Sequence, residues 1–471
     1  MNAELERLAA GCLLASFEAT TVPGWLRRKL EAGLGGVVLF AWNVESRQQV
    51  AQLTESLRGE RQDVVVGIDE EGGDVTRLEA DRGSSYPGNW ALGAVDDPAL
   101  TEEVAAAIGA DLAGVGVNLN FAPVADVNVN PMNPIVGVRS FGSDAALVAR
   151  HVAAYVTGLQ RSGVAACAKH FPGHGDTEED SHLELPTVER DDETAAAMLL
   201  PFRAAIGAGA RAVMTAHVRV AGLDDVPATL SKAAIDGLLR GELGFAGIVI
   251  TDALEMRAVS ATVGVEEGAV RALEAGADAL CLGHDLPAEP VQAAVVEAVR
   301  SGRLDEARLR EAAGRVAELT RANGGVQDAA PRGIGLDAAR RALRSEGTVA
   351  MDRPPLVVEL DPESSIAAGN ANHGLGDALQ SAEVIRLDEA PLDARNLLAE
   401  HFDRRLIVVM RDAHRHTWQR VAAQVFLEAA PDSVFVELGV PAWRPDSPNY
   451  LATHGRGRVN LEAAAELLQP E

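Results

Sequence analysis

GIVITDALEM, residues 247–256, sets Ile248, Val249, Ile250 and Thr251 in an unbroken run directly before an aspartate. An apolar, β-branched run without polar alternation reads as a strand buried on both faces, the pattern of a parallel sheet covered by helices. Working outward, the same kind of run recurs along the first 283 residues: GCLLASF (11–17), GGVVLF (35–40), VVVGIDEEGG (64–73), VNLNFAPVADV (117–127), VAACAKHF (164–171), RAVMTAH (211–217) and ADALCLG (277–283). The intervals leave room for amphipathic helices such as LRRKLEAG and DDETAAAMLLPFRAAIGAGA. Eight strand–helix units predict an α/β fold, a TIM-type (β/α)8 barrel, whose active face lies just past the strand C-termini. Those positions carry Asp69, Asp126, Lys169, His170, His217 and Asp252. A strand-end carboxylate alone can simply cap the next helix; six polar residues at one end of one barrel point instead to a site.

The pattern DEARLREAAGRVAELTRA (305–322) predicts a helix that closes the barrel, and NGGVQDAAPRGIG (323–335) has linker composition. The runs PLVVEL (355–360), EVIRL (383–387), RLIVVM (405–410) and SVFVELGV (433–440) follow, separated by helical patterns. They predict a smaller α/β layered domain over 326–471 after a barrel domain over 1–325. The second domain carries no recognisable catalytic motif. His414 and His416 in RDAHRHTW read as part of a solvated loop.

Composition narrows the function classes. With 69 acidic against 42 basic residues the formal charge is -27, which argues against nucleic acid or an anionic membrane as partner. Cys12, Cys167 and Cys281 are odd in number, far apart and flanked by apolar residues, as expected of core thiols in a reducing compartment rather than a disulfide framework. The apolar stretch within residues 1–20 has acidic flanks, unlike a signal peptide or a membrane span. The expectation is a soluble, cytoplasmic protein, monomeric, acting on a small molecule.

The chemically densest segment is AKHFPGHGDTEEDSHLELP (168–186), with three histidines and five acidic residues. His170 and His174 have the four-residue spacing of a helical metal pair, with His217 as a further ligand candidate, but Pro172 and Gly173 break that helix. A phosphate cradle in GHGDT would suffer repulsion from the neighbouring carboxylates. A surface loop accounts for the glycines and prolines but leaves the imidazoles beside Lys169, one of three lysines in the chain, unexplained. Acid/base work accounts for more. Asp180, two residues before His182, can orient that imidazole and raise its basicity. Asp252, on a rigid strand end, is placed as a nucleophile would be. A fixed carboxylate and a proton carrier are the minimal equipment for double-displacement glycoside cleavage.

Together, GIDEEGGDVTRLE, FAPVADVNVNP, NPIVGVRSFGSD, the 168–186 segment, MTAHV, PATLSKAAIDGLLRGELGFAGIVITDALEM and LCLGHD, in this order over roughly residues 5 to 325, resemble glycoside hydrolase family 3, in its bacterial β-N-acetylhexosaminidase branch that serves peptidoglycan recycling. The resemblance implies a retaining, exo-acting enzyme on GlcNAc glycosides, without metal or cofactor. Asp252 would be the nucleophile and His182 the acid/base, assisted by Asp180. Asp69, Arg77, Arg139, Lys169 and His170 would recognise the sugar. Glu70 stands where the family often has Gln, Asp74 where an Arg is common and Ala253 where a second Asp often follows. Phosphorolysis by the same dyad, a non-catalytic sugar-binding barrel and a metal-dependent hydrolase are the alternatives.

Overall fold

The computed structural model describes residues 2–177, 185–188, 192–284, 286–321, 333–360, 373–391 and 393–469. Eight parallel strands succeed one another around the first sheet: β1 (Leu13–Ala15), β2 (Gly36–Leu39), β3 (Val65–Ile68), β4 (Leu119–Asn120), β5 (Ala165–Phe171), β6 (Ala212–Thr215), β7 (Ile248–Thr251) and β8 (Leu280–Leu282). Each lies within a run named above. β8 pairs with β1, and a single bridge between Ile250 and Ala279 joins β7 to β8, so the sheet all but closes on itself.

Side chains fill the barrel rather than a channel. Leu14, Val38, Val65, Phe121, Cys167, Met214, Ile250 and Cys281 form one buried cluster, which Val316 and Leu319 of the helix Glu306–Arg321 join. That helix closes the N-terminal end, where Arg308 and Arg315 reach Oδ1 of the buried Asp278 at 2.6 and 3.0 Å and Arg240 reaches Oδ2 at 2.5 Å. A second apolar shell, including Leu26, Val50, Ile108, Tyr155, Phe202 and Val295, packs the helices onto the outside of the strands. With one end sealed, chemistry is confined to the other.

The C-terminal domain is a six-stranded sheet of β9 (Arg344–Glu346), β10 (Pro355–Leu360), β11 (Glu383–Leu387), β12 (Arg405–Met410), β13 (Val434–Glu437) and β14 (Tyr450–Ala452), in the order β9-β14-β13-β12-β10-β11. Only β9 runs antiparallel. Leu356, Val358 and Val408 pack with Phe426 on one face, while Val357, Ile407 and Val409 pack with Leu461 and Leu468 on the other. Such two-sided burial is why these strands read as unbroken apolar runs.

Polar contacts dock this domain on the barrel. The side chain of Asp74, 3% exposed, accepts from Arg411 Nη2 at 2.8 Å and from the Arg456 backbone N–H at 2.9 Å. Arg341 Nη2 donates to Asp97 at 2.7 Å. His414 departs from the solvated-loop reading: its Nε2 donates to the Pro131 carbonyl at 2.6 Å, so the loop after β12 rests on the barrel loop after β4. The three cysteines are free and buried. Among the described residues no helix is long and apolar enough to cross a membrane.

Candidate active site

The C-terminal ends of β3, β4, β5 and β7 deliver the site. Asp69 follows β3 directly, and the chain then turns through Gly72 and Gly73 at φ +84° and +57°. A Cβ on Gly73 would lie 2.5 Å from Gly88 Cα, so this tight return needs glycine on both conformational and steric grounds. The turn folds Glu71 back beneath the barrel mouth, beside Lys169 of β5. Lys169 Nζ donates to Asp69 Oδ1 at 2.5 Å and to Glu71 Oε1 at 2.7 Å. Arg139, in the turn Gly137–Arg139 after β4, clamps Glu71 with Nε at 3.0 Å and Nη2 at 2.7 Å. Arg77 stands further off, its Nη2 4.0 Å from Asp69 Oδ2.

These charges form a chain, and burial ranks their roles. The side chains of Lys169 and Glu71 are 2% exposed, whereas that of Asp69 is 22% exposed. Burial would push the Glu71 carboxyl up, but Arg139 and Lys169 pull it far below the usual carboxylate range. Burial works downward on Lys169, yet Asp69 and Glu71 raise it overall, so the ammonium persists. Glu71 is thus the hidden counter-ion, and Asp69 is the acceptor able to meet a ligand hydroxyl. Sequence reasoning missed Glu71; the signal was the second acid of DEEGG.

Asp126, after β4, organises the root of the 168–186 segment. Its Oδ2 lies 2.7 Å from His170 Nδ1, and its Oδ1 accepts the His174 backbone N–H at 2.7 Å. A carboxylate opposite Nδ1 fixes the proton there, leaving Nε2 as the nitrogen that can accept from a ligand. Burial pushes His174 down to about 4, so its ring is neutral at neutral pH. Asn133 holds the same root, donating to the His174 carbonyl at 2.8 Å and lying 3.2 Å from Thr177 Oγ1. The strand-end position made Asp126 visible in the sequence, but its partnership with His170 was not. Asp180 and His182 lie outside the described residues.

Asp252 begins the loop after β7. Its backbone N–H donates to the Thr215 carbonyl at 3.2 Å, and Oδ1 accepts from the Ala253 N–H at 2.8 Å. His217 Nε2 donates to the Ala253 carbonyl at 2.9 Å, with Nδ1 2.8 Å from Thr229 Oγ1. This histidine therefore braces the turn that carries Asp252. Asp69 and Asp252 each follow directly on the C-terminal end of a barrel strand, β3 and β7, so the two carboxylates stand at the same end of the barrel. The structure thus gathers Asp252, Asp69, Arg139, Lys169 and His170 at one end of the barrel, with Arg77 at its edge.

Glu70, one of the departures noted above, has its own consequence. It is buried, and its Oε2 accepts from the Arg77 and Leu78 N–H groups at 2.9 and 3.0 Å. Burial pushes its carboxyl up to about 7. A raised carboxyl stays protonated in the folded protein while the unfolded chain ionises, so its contribution is complete below about pH 4.5 and is lost as pH rises through about 7. Glu70→Gln mimics the protonated form. It is expected to change little at pH 5 and to stabilise by roughly 2–3 kcal/mol at pH 8, read as a difference in Tm that widens with pH.

Comparison with known proteins yields consistent matches. The model of the glycosyl hydrolase family 3 N-terminal domain matches residues 25–319. Beta-hexosaminidase A of Pseudoalteromonas piscicida is 35% identical over 331 residues, 64% of this chain; the chain spans 55% of that relative's length. A beta-hexosaminidase of Stenotrophomonas maltophilia (strain R551-3) is 39% identical over 268 residues, 55% of this chain and 78% of the relative. Among solved structures, a glycoside hydrolase family 3 beta-N-acetylglucosaminidase from Paenibacillus sp. str. FPU-7 superposes with a TM-score of 0.89 at 34% identity, covering 98% of this chain and 96% of that one.

Proposed function

This chain belongs to glycosyl hydrolase family 3, and from that premise we propose that it is a retaining, exo-acting β-N-acetylglucosaminidase working on GlcNAc glycosides such as peptidoglycan fragments in the cytoplasm. The observation that carries the proposal is the strand-end carboxylate Asp252 at the same end of the barrel as the Asp69–Lys169–Glu71–Arg139 chain. Such a chain holds Asp69 fixed to accept from sugar hydroxyls, while Arg77, Lys169 and the His170 ring supply further polar contacts. The sugar would be oriented with its anomeric carbon toward Asp252.

In the proposed reaction Asp252 attacks that carbon through an oxocarbenium-like transition state while His182, oriented by Asp180, protonates the leaving oxygen. Water, deprotonated by His182, then cleaves the glycosyl-enzyme with overall retention. The names of the matched beta-hexosaminidases and of the Paenibacillus beta-N-acetylglucosaminidase support the choice of an N-acetylated sugar.

Turnover of an aryl β-N-acetylglucosaminide, with and without phosphate and beside the aryl β-glucoside, tests this reading. Release of free GlcNAc at a rate independent of phosphate is expected, with the glucoside a poor substrate. Accumulation of a sugar 1-phosphate would identify a phosphorylase, and absence of turnover on both glycosides would leave a binding barrel.

Neither proposed step needs a metal. Turnover is expected to be unchanged after chelation and gel filtration, with elemental analysis confirming that no stoichiometric metal remains. Loss of activity restored only by a divalent ion would return the histidines of the 168–186 segment to candidate ligands.

A further inference from the structure

The second domain has a cavity of its own, independent of the reading above. In its parallel sheet the chain runs from β10 to β11 on one side and then to β12, β13 and β14 on the other. The order therefore reverses between β10 and β12. Open α/β sheets take ligands in the crevice beyond the carboxyl ends of the strands at such a switch point. A cavity of about 300 Å³ lies at this place, lined by Leu360 at the end of β10 and by Met410 and Arg411 at the end of β12. Its volume is at the lower end of small-molecule sites.

The lining is polar and rich in donors. Arg386, Arg411 and Arg456 face the cavity with His373 and Glu359. Glu359 is matched by Arg386 at 2.9 Å. Asp74 of the barrel serves both other arginines, accepting from Arg411 Nη2 at 2.8 Å and lying 3.9 Å from Arg456 Nε. Among the described residues, Arg411 Nε and Nη1 are buried with no hydrogen-bond partner. Leaving such buried groups unmatched is costly, more so where the group is charged. An acceptor-rich, negatively charged guest would satisfy them, and guanidinium groups favour phosphate and carboxylate oxygens.

We propose that the switch-point cavity of the C-terminal domain is a second ligand site, for a phosphorylated or carboxylated small molecule of about monosaccharide size held by Arg411 and Arg386. Because Arg411 also holds Asp74, which shares its barrel loop with Asp69 and Arg77, the guest sits one contact away from that loop. That places an effector where it can steady the loop.

Calorimetric titration of the full chain with glucose 6-phosphate, with citrate and with uncharged glucose tests the site. One or both anions are expected to bind with Kd of roughly 10 μM to 1 mM, and glucose not to compete. Glucose 6-phosphate alone binding would identify a phosphate-ester site, and citrate alone a carboxylate site. Arg411→Met should weaken binding about tenfold or more. Arg386→Gln should weaken it several-fold; this side chain is 54% exposed, so the variant tests the site even if Arg411→Met disturbs domain docking. Asp252→Ala should bind as the parent does. Absence of binding by both anions, equal binding by the two arginine variants and the parent, or loss of binding in Asp252→Ala would overturn the proposal.

Discussion

Asp252→Ala is expected to abolish glycosyl-enzyme formation and to lower turnover by several powers of ten, roughly 10⁴-fold or more. The magnitude follows from the surroundings. The nearest alternative along the chain, Glu255, has its Oε2 tied to the Gly283 N–H at 3.0 Å, and burial raises its carboxyl above the ordinary range. A carboxyl that is hydrogen-bonded away and reluctant to ionise is a poor substitute nucleophile. The fold should survive, because the Asp252 backbone bond to Thr215 does not depend on the side chain. Intact-mass measurement after incubation with an activated fluorinated glycoside should show a covalent adduct on the parent and none on the variant. Azide, small enough to occupy the vacated carboxylate position, should restore part of the turnover with an activated substrate and yield the glycosyl azide of inverted configuration. A variant with near-normal turnover would remove Asp252 from the mechanism.

What was legible in the sequence follows from where the information resides. The barrel strands could be read because each is buried on both faces, which forces apolar runs on most of them, although β4 includes Asn120 and β5 ends through Lys169 and His170. The C-terminal strands β10, β12 and β13 were legible for the same reason, whereas β11, partly buried to exposed at the sheet edge, was legible from Val384, Ile385 and Leu387 alone. β9 and β14 were not: Arg344, Ser345 and Glu346 are all exposed, and their strand state comes from pairing with Tyr450, Leu451 and Ala452 rather than from their own composition. Three residues are too few to show a period.

The site divides in the same way. Residues standing at strand ends, such as Asp69, Asp126, Lys169 and Asp252, declared themselves by position. Partnerships across the fold did not: Arg139 and Glu71 are separated by 68 positions, and nothing local marks them as a pair. Asp74 is the sharpest case. Read alone it was a departure from a commonly basic position, whereas in three dimensions it is the anion that receives Arg411 and Arg456 of the second domain. A charge reversal in one domain makes physical sense only once the complementary charges of the other are in place.

The proton carrier is the assignment on which hydrolysis of natural, unactivated glycosides depends. If His182 holds that role, His182→Ala should slow substrates with poor leaving groups by about 10²–10⁴-fold. Aryl glycosides with acidic phenols should be affected far less in the first chemical step, since a good leaving group departs without protonation. Deglycosylation would still be impaired, because attack by water needs a base. With an activated substrate the variant should therefore show a burst of phenol release followed by a slow steady state, as glycosyl-enzyme accumulates on Asp252. Asp180→Ala should give the same pattern more mildly, since it removes the orienting partner and leaves the imidazole in place. The measurement is a series of aryl β-N-acetylglucosaminides of graded leaving-group pKa, with pre-steady-state rates for parent and variants. A steeper dependence on leaving-group pKa in His182→Ala is the expected signature. An equal loss on every substrate, with the slope unchanged, would make the loop a binding element and send the search for the acid/base to the C-terminal domain, beginning with the residues after β12 that rest on the barrel.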